Sequence, residues 1–119
     1  MDYKTAHDFL IDQGTALETR NSSDAFLVHL EQGQPPIPGQ VTSILLALKI
    51  ADDVLKKQPT IERELVLALY LLAMESHQKF EVGKNKGVQW PPLLREDLRR
   101  IATGVKSILA GQSFETGIS

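Results

Sequence analysis

The sequence predicts an all-α fold: one compact bundle of about five helices around an apolar central helix at about residues 60–82. Three observations carry this. The run Leu65-Val66-Leu67-Ala68-Leu69-Tyr70-Leu71-Leu72-Ala73-Met74 is apolar on every side of a helix, so the rest of the protein or a partner must enclose it. Leu94, Leu98, Ile101, Val105 and Ile108 recur at spacings of 4, 3, 4 and 3, the stripe by which a helix packs on one neighbour. No stretch alternates apolar and polar residues with period two, and no Asn-Gly or Asp-Gly hairpin signal occurs.

The first helix is expected after Asp2 and runs to about Gln13, with Ala6 and Leu10 one turn apart and Gly14 as its stop, because glycine enters the left-handed conformation freely. Thr15 to Asn21 can be read either as a loop or as an extension of this helix. A second helix is expected from Ser22 or Ser23, either a good N-cap, and carries Phe26, Leu27 and Leu30 up to Gly33. The prolines of Gln34-Pro35-Pro36-Ile37-Pro38-Gly39 disfavour a helix and favour a stiff extended linker. A third helix follows from about Val41 to Lys57, with Ile44, Leu45, Leu48, Ala51 and Leu55 on one face and Pro59 beyond its end. Thr60 is the expected cap of the fourth, central helix, which turns polar after Met74 and ends near Gly83. A basic loop, Gly83-Lys84-Asn85-Lys86-Gly87, leads to Trp90-Pro91-Pro92, where the fifth helix starts. Gly111 ends it, so residues 1–111 form the domain and 112–119 read as a frayed tail.

A chain of 119 residues with 42% apolar and 24% charged side chains has the size and composition of one globular domain. The absence of cysteine excludes disulfides, thiolate nucleophiles and zinc–cysteine sites. The apolar run is too short to cross a bilayer, which takes roughly 20 residues. The N-terminal Met1-Asp2-Tyr3-Lys4, followed by His7 and Asp8, does not read as a signal peptide, so the expected location is cytoplasmic.

Signatures of chemistry are missing. The loop Gly83–Gly87 lacks the Gly-Lys-Ser/Thr of a phosphate-binding loop and follows a helix rather than a strand. His77 and Glu81 share a helix face, but the Glu-x-x-His spacing of carboxylate-bridged metal bundles is absent. Ser43, Ser76 and Ser107 fall within helices, none in a Gly-x-Ser-x-Gly elbow. Asp52 and Asp53 point about 100° apart on a helix and read as solvation of the third helix. No catalytic residue, cofactor-binding residue or metal ligand is assigned.

Two kinds of contact remain. Residues 79–119 carry a net charge of +3 against −5 for the rest of the chain. Lys84, Lys86, Arg95, Arg99, Arg100 and Lys106 are the candidate anion contacts. Glu96 and Asp97 dilute them, and Trp90 is the lone aromatic among them, which argues against nucleic acid. Trp90 and the segment Pro35, Pro36, Ile37 and Pro38 are the candidate protein contacts, Trp being common among binding hot spots. The preferred readings are plainer: Trp90 staples the end of the bundle, and the prolines form a spacer.

The segments Pro35-Pro36-Ile37-Pro38-Gly39-Gln40-Val41-Thr42-Ser43-Ile44-Leu45-Leu46-Ala47-Leu48-Lys49 and Trp90-Pro91-Pro92-Leu93-Leu94 resemble a family of short all-helical cyanobacterial proteins, over nearly the whole chain up to Gly111. Some of that family carry the label dethiobiotin synthetase. That ATP-dependent enzyme is an α/β P-loop protein nearly twice this length, and the residues here supply neither its strands nor its loop. The resemblance implies a source and transfers no functional residue. The function expected from the sequence is a non-enzymatic helical domain acting through protein–protein contact, self-association included. A small-molecule or cofactor-binding bundle, which would draw on His77, Glu75 or Tyr70, is the alternative, and weak nucleic-acid binding through residues 84–106 is a third reading.

Overall fold

Asp2 starts the first helix as the sequence predicts. In the computed structural model, which describes residues 1–111, its carboxylate accepts from the Thr5 backbone N–H at 2.8 Å and caps α1 (Tyr3–Gly14). The expected tail, 112–119, lies outside the described residues. The ambiguous stretch forms a one-turn helix, α2 (Ala16–Thr19), which ends at Arg20 in the left-handed conformation (φ 54°). The Arg20 guanidinium reaches Glu31 with both terminal nitrogens. The next helix, α3 (Phe26–Glu31), begins later than Ser22 or Ser23. Ser22 Oγ instead accepts from Asp24 N at 3.2 Å and holds a local turn, the alternative that serine offers the backbone. Gln13 Oε1 takes over the capping of Phe26 N, at 3.2 Å.

Gly39, at φ 85°, turns the chain out of the proline segment into α4 (Gln40–Leu55). The central helix, α5 (Arg63–Asn85), starts beyond Thr60. Ile61 packs against the core just ahead of it, while the Glu62 carboxylate is held by His7 Nε2 at 2.9 Å. The last helix, α6 (Leu94–Ala110), starts after a turn over Pro91–Leu93 closed by Leu94 N on Pro91 O. Gly111, at φ 69°, ends it as expected. The architecture is all-α, with six helices among the described residues instead of about five. The addition is α2.

The core gathers Leu10 from α1, Phe26, Leu27 and Leu30 from α3, Ile44 and Leu48 from α4, Leu65, Leu69 and Leu72 from α5, and Leu94, Ile101 and Ile108 from α6. Helix α5 touches α1, α3 and α6, and α4 spans α1 and α6 on the other side. Two glycines read from sequence as helix ends lie at or near those ends, without the left-handed turn expected of Gly14, and do a further job. Gly14 is the buried last residue of α1, and a Cβ there would overlap the Ala68 carbonyl of α5. The helices therefore cross backbone on backbone. Gly83 lies inside α5, which continues to Asn85, and a Cβ there would strike the Trp90 ring. Gly104 similarly admits Leu48 of α4, whose Cδ1 would lie 3.2 Å from an added Cβ.

Candidate interaction surface

The apolar run in α5 is enclosed on three sides and open on the fourth. Leu65, Ala68, Leu69, Leu71 and Leu72 are buried. Leu67 is 49% exposed, Tyr70 54% and Met74 37%. These three occur at spacings of 3 and 4, so they form one stripe on the helix. Beside it, α5 and α6 diverge to leave an open groove of about 550 Å³. Tyr70, Ala73, Met74 and His77 form one wall, and Leu98, Ala102, Val105 and Leu109 form the other. Leu109 is 43% exposed. Arg95 and Arg99 stand at one end of the groove. Its walls are otherwise almost entirely apolar, and the run of exposed side chains is continuous.

Trp90 is committed to the chain's own packing. Its indole N–H donates to the Phe80 carbonyl at 3.0 Å, its ring stacks on Phe80 with centroids 5.9 Å apart, and Gly83 lies beneath it. This geometry ties the α5–α6 connection to α5. The guanidinium of Arg95 joins the same cluster, 5.0 Å from the centre of the Phe80 ring.

The proline segment is pinned at both ends. His29 Nδ1 bonds the Pro35 carbonyl at 3.0 Å. Gln40 accepts from Ile37 N and donates to Asp24 O. Folding also brings this segment against the turn that follows Trp90. Pro36 and Ile37 share a shallow depression with Pro91 and Leu93, and Leu93 is the most exposed large apolar residue described. Pro35 and Pro38 are exposed at its margin. Two segments far apart in sequence thus meet at one end of the molecule, on a surface smaller than the α5–α6 face.

The basic candidates are dispersed among carboxylates. Arg95 pairs with Glu81, Arg99 with Glu96 and Arg100 with Asp97. Lys84 and Lys86 lie at the far end of α5, and Lys106 lies near the end of α6; all three are exposed. Arg99 and Arg100 also border a second groove, between α4 and α6, together with Lys49, Lys56, Asp52, Asp53 and Glu96. Its charges alternate in sign. Asp52 does more there than solvate α4, because it accepts from Ser107 Oγ of α6 at 3.0 Å.

Glu75 lies on the α3 flank of α5. One of its carboxylate oxygens is buried with no hydrogen-bond partner among the described residues. Burial pushes this carboxyl above the ordinary range, and neighbouring Glu18 adds to the effect. No group of three or more His, Asp or Glu side chains suited to a metal ion occurs among the described residues. No described helix is long and apolar enough to cross a membrane.

The sequence singled out the apolar run but not the face of it that stays open, nor Leu109. The signal lay in the spacing of residues 67, 70 and 74, and it was hidden because the residues between them are equally apolar. No family model, curated protein or solved structure matches this chain.

Proposed function

We propose that this protein is a helical docking module that binds another protein through the face between α5 and α6, without catalysing a reaction. One observation carries the reading: Leu67, Tyr70, Met74 and Leu109 form a continuous exposed apolar surface beside an open groove. Single exposed apolar residues are ordinary on a protein surface, but a contiguous patch of them marks a contact site. The two walls are helices held rigidly by the core, so the groove suits an amphipathic helix laid along it.

The test replaces Tyr70 with the photoreactive benzoyl-phenylalanine, in cells producing the protein at modest level, with Lys57 replaced likewise as control. The reading expects an adduct at position 70 that mass spectrometry identifies as one protein species. It should fall at least tenfold at position 57 and on adding Leu67→Glu. Equal labelling from both positions, or insensitivity to Leu67→Glu, overturns it.

A further inference from the structure

We infer that the occupant of the α5–α6 face is a second copy of this chain, docked with its α5 antiparallel to the first about a two-fold axis. This rests on the docking reading above and goes further by naming the partner and its register. The outward face of α5 reads Arg63, Leu67, Tyr70, Met74, His77 and Glu81, at spacings of 4, 3, 4, 3 and 4. That is the heptad rhythm by which two helices keep a common seam. Five of these side chains are exposed and Glu81 is half-buried.

The stripe is also symmetric about the level of Leu72. In an antiparallel pair centred there, Tyr70 of one copy lies opposite Met74 of the other, and Leu67 opposite His77. Arg63 lies opposite Glu81, so opposite charges meet at both ends of the seam. A parallel pair would set Arg63 against Arg63 and Glu81 against Glu81. Charge therefore selects the antiparallel arrangement. Arg63 has no ion-pair partner among the described residues. Glu81 pairs with Arg95 through one carboxylate oxygen, at 3.8 Å, and offers the other to the second copy.

Helix α6 matches the same symmetry. Leu98, Ala102, Val105 and Leu109 are spaced 4, 3 and 4 along the other wall of the groove, a pattern symmetric about its own centre. One two-fold axis then sets α5 on α5 and α6 on α6, a four-helix arrangement with two helices from each copy.

The area sets the size class of the interface. The seam from residue 63 to 81 is about 27 Å long at 1.5 Å per residue, and two helices are about 20 Å wide. Each copy thus contributes about 500 Å², or roughly 1,000 Å² in all, at the weak end of specific association. An interface of this size suits a dimer that exchanges with monomer.

Sedimentation from 5 to 500 μM should show monomer passing to dimer, and Leu67→Glu with Met74→Glu should raise the dissociation constant at least tenfold. Register is tested by cross-linking, for which a cysteine-free chain is well suited. Arg63→Cys and Glu81→Cys proteins, mixed at 200 μM with a short bis-maleimide, should form a covalent dimer. Neither should do so alone, because like positions lie about 27 Å apart. A cross-link from Arg63→Cys alone means a parallel pair and overturns the inference. So does a monomer at 500 μM. If position 70 still labels a different protein, the docking reading stands and only the second copy is wrong. A position-70 adduct within the same chain, at residues 112–119, assigns the groove to the chain's own end and overturns both. A dimer indifferent to Leu67→Glu and Met74→Glu, with no position-70 adduct, also overturns both.

Discussion

Two faces of α5 carry the same kind of side chain and meet opposite fates. On the inner face, Leu65, Leu69 and Leu72 are fully buried, and Ala68 lies against Gly14 of α1 with no side chain between the backbones. On the outer face, Leu67, Tyr70 and Met74 stand in the open beside a groove. Hydrophobicity alone does not separate these faces. What separates them is where the neighbouring helices carry a residue small enough, or a stripe regular enough, to approach. The inner face is therefore a matter of stability, and the outer face is left for association.

The sharpest way to break the inner contact is Gly14→Val. Overpacking usually costs about 1–3 kcal/mol. Here the first atoms met are the Ala68 backbone, which cannot turn aside, so we expect about 4 kcal/mol or more. Denaturant unfolding followed by the fluorescence of Trp90 would measure it, and a loss under 1 kcal/mol would show that α1 and α5 can separate freely. The comparison itself is tested by truncating matched leucines. Leu69→Ala should cost about 3 kcal/mol, in the range for a fully buried leucine. Leu67→Ala should cost about 0.5 kcal/mol or less at low micromolar concentration, as at other exposed sites. Equal losses would mean that the outer face is buried in the molecule as it exists in solution. Gly83→Ala comes next, at about 2 kcal/mol, because the Trp90 side chain it strikes can shift where a backbone cannot.

Much of the fold was legible because its signals are local. The 4-3-4-3 stripe of α6 and the Asp2 cap of α1 each specify structure without knowledge of the rest of the chain. The packing role of Gly14 and Gly83 was not legible. A glycine that stops a helix and a glycine that admits a neighbour look identical in sequence, and only the position of Ala68 or Trp90 distinguishes them. The N-termini of α3 and α5 moved for a related reason. Gln13 caps Phe26 and His7 holds Glu62 from distant parts of the chain, and these partners outrank the serine and threonine nearby. At the candidate site, the sequence pointed to the right helix but not to the face left open. An apolar run reveals which residues need cover, and only packing reveals which of them receive it.

A smaller effect tests how α1 holds the start of α5. His7 bonds Asp8 and Glu62, each at 2.9 Å. These carboxylates, Asp8 first, raise its imidazole above the usual 6.5. A group whose folded value is raised adds stability that is complete below its unfolded value and is lost as pH rises through the folded one. The melting temperature should therefore fall as pH rises from 6 toward 8, and His7→Gln should flatten that slope. An unchanged slope would mean that this bridge leaves α1 and α5 indifferent to its charge.

The smallest effect lies on the third flank of α5, between the closed face and the open one. Glu75 has a carboxyl pushed up by burial, with one oxygen unsatisfied. A raised carboxyl follows the same sign as His7: it favours the folded state below its unfolded value near 4.5, and the advantage disappears as pH climbs through the folded value. At neutral pH the ionised form is thus a burden on the α3–α5 contact. Glu75→Gln should raise the melting temperature at pH 7. Solvent screening keeps the gain below about 4 °C, the shift of a 1 kcal/mol effect in a chain of this size. The difference should close toward pH 4, where the native carboxyl is neutral too. If the gain persists unchanged at pH 4, its origin is the shape of the amide and not the charge. The α3 flank would then resemble the closed inner face of α5, governed by packing alone.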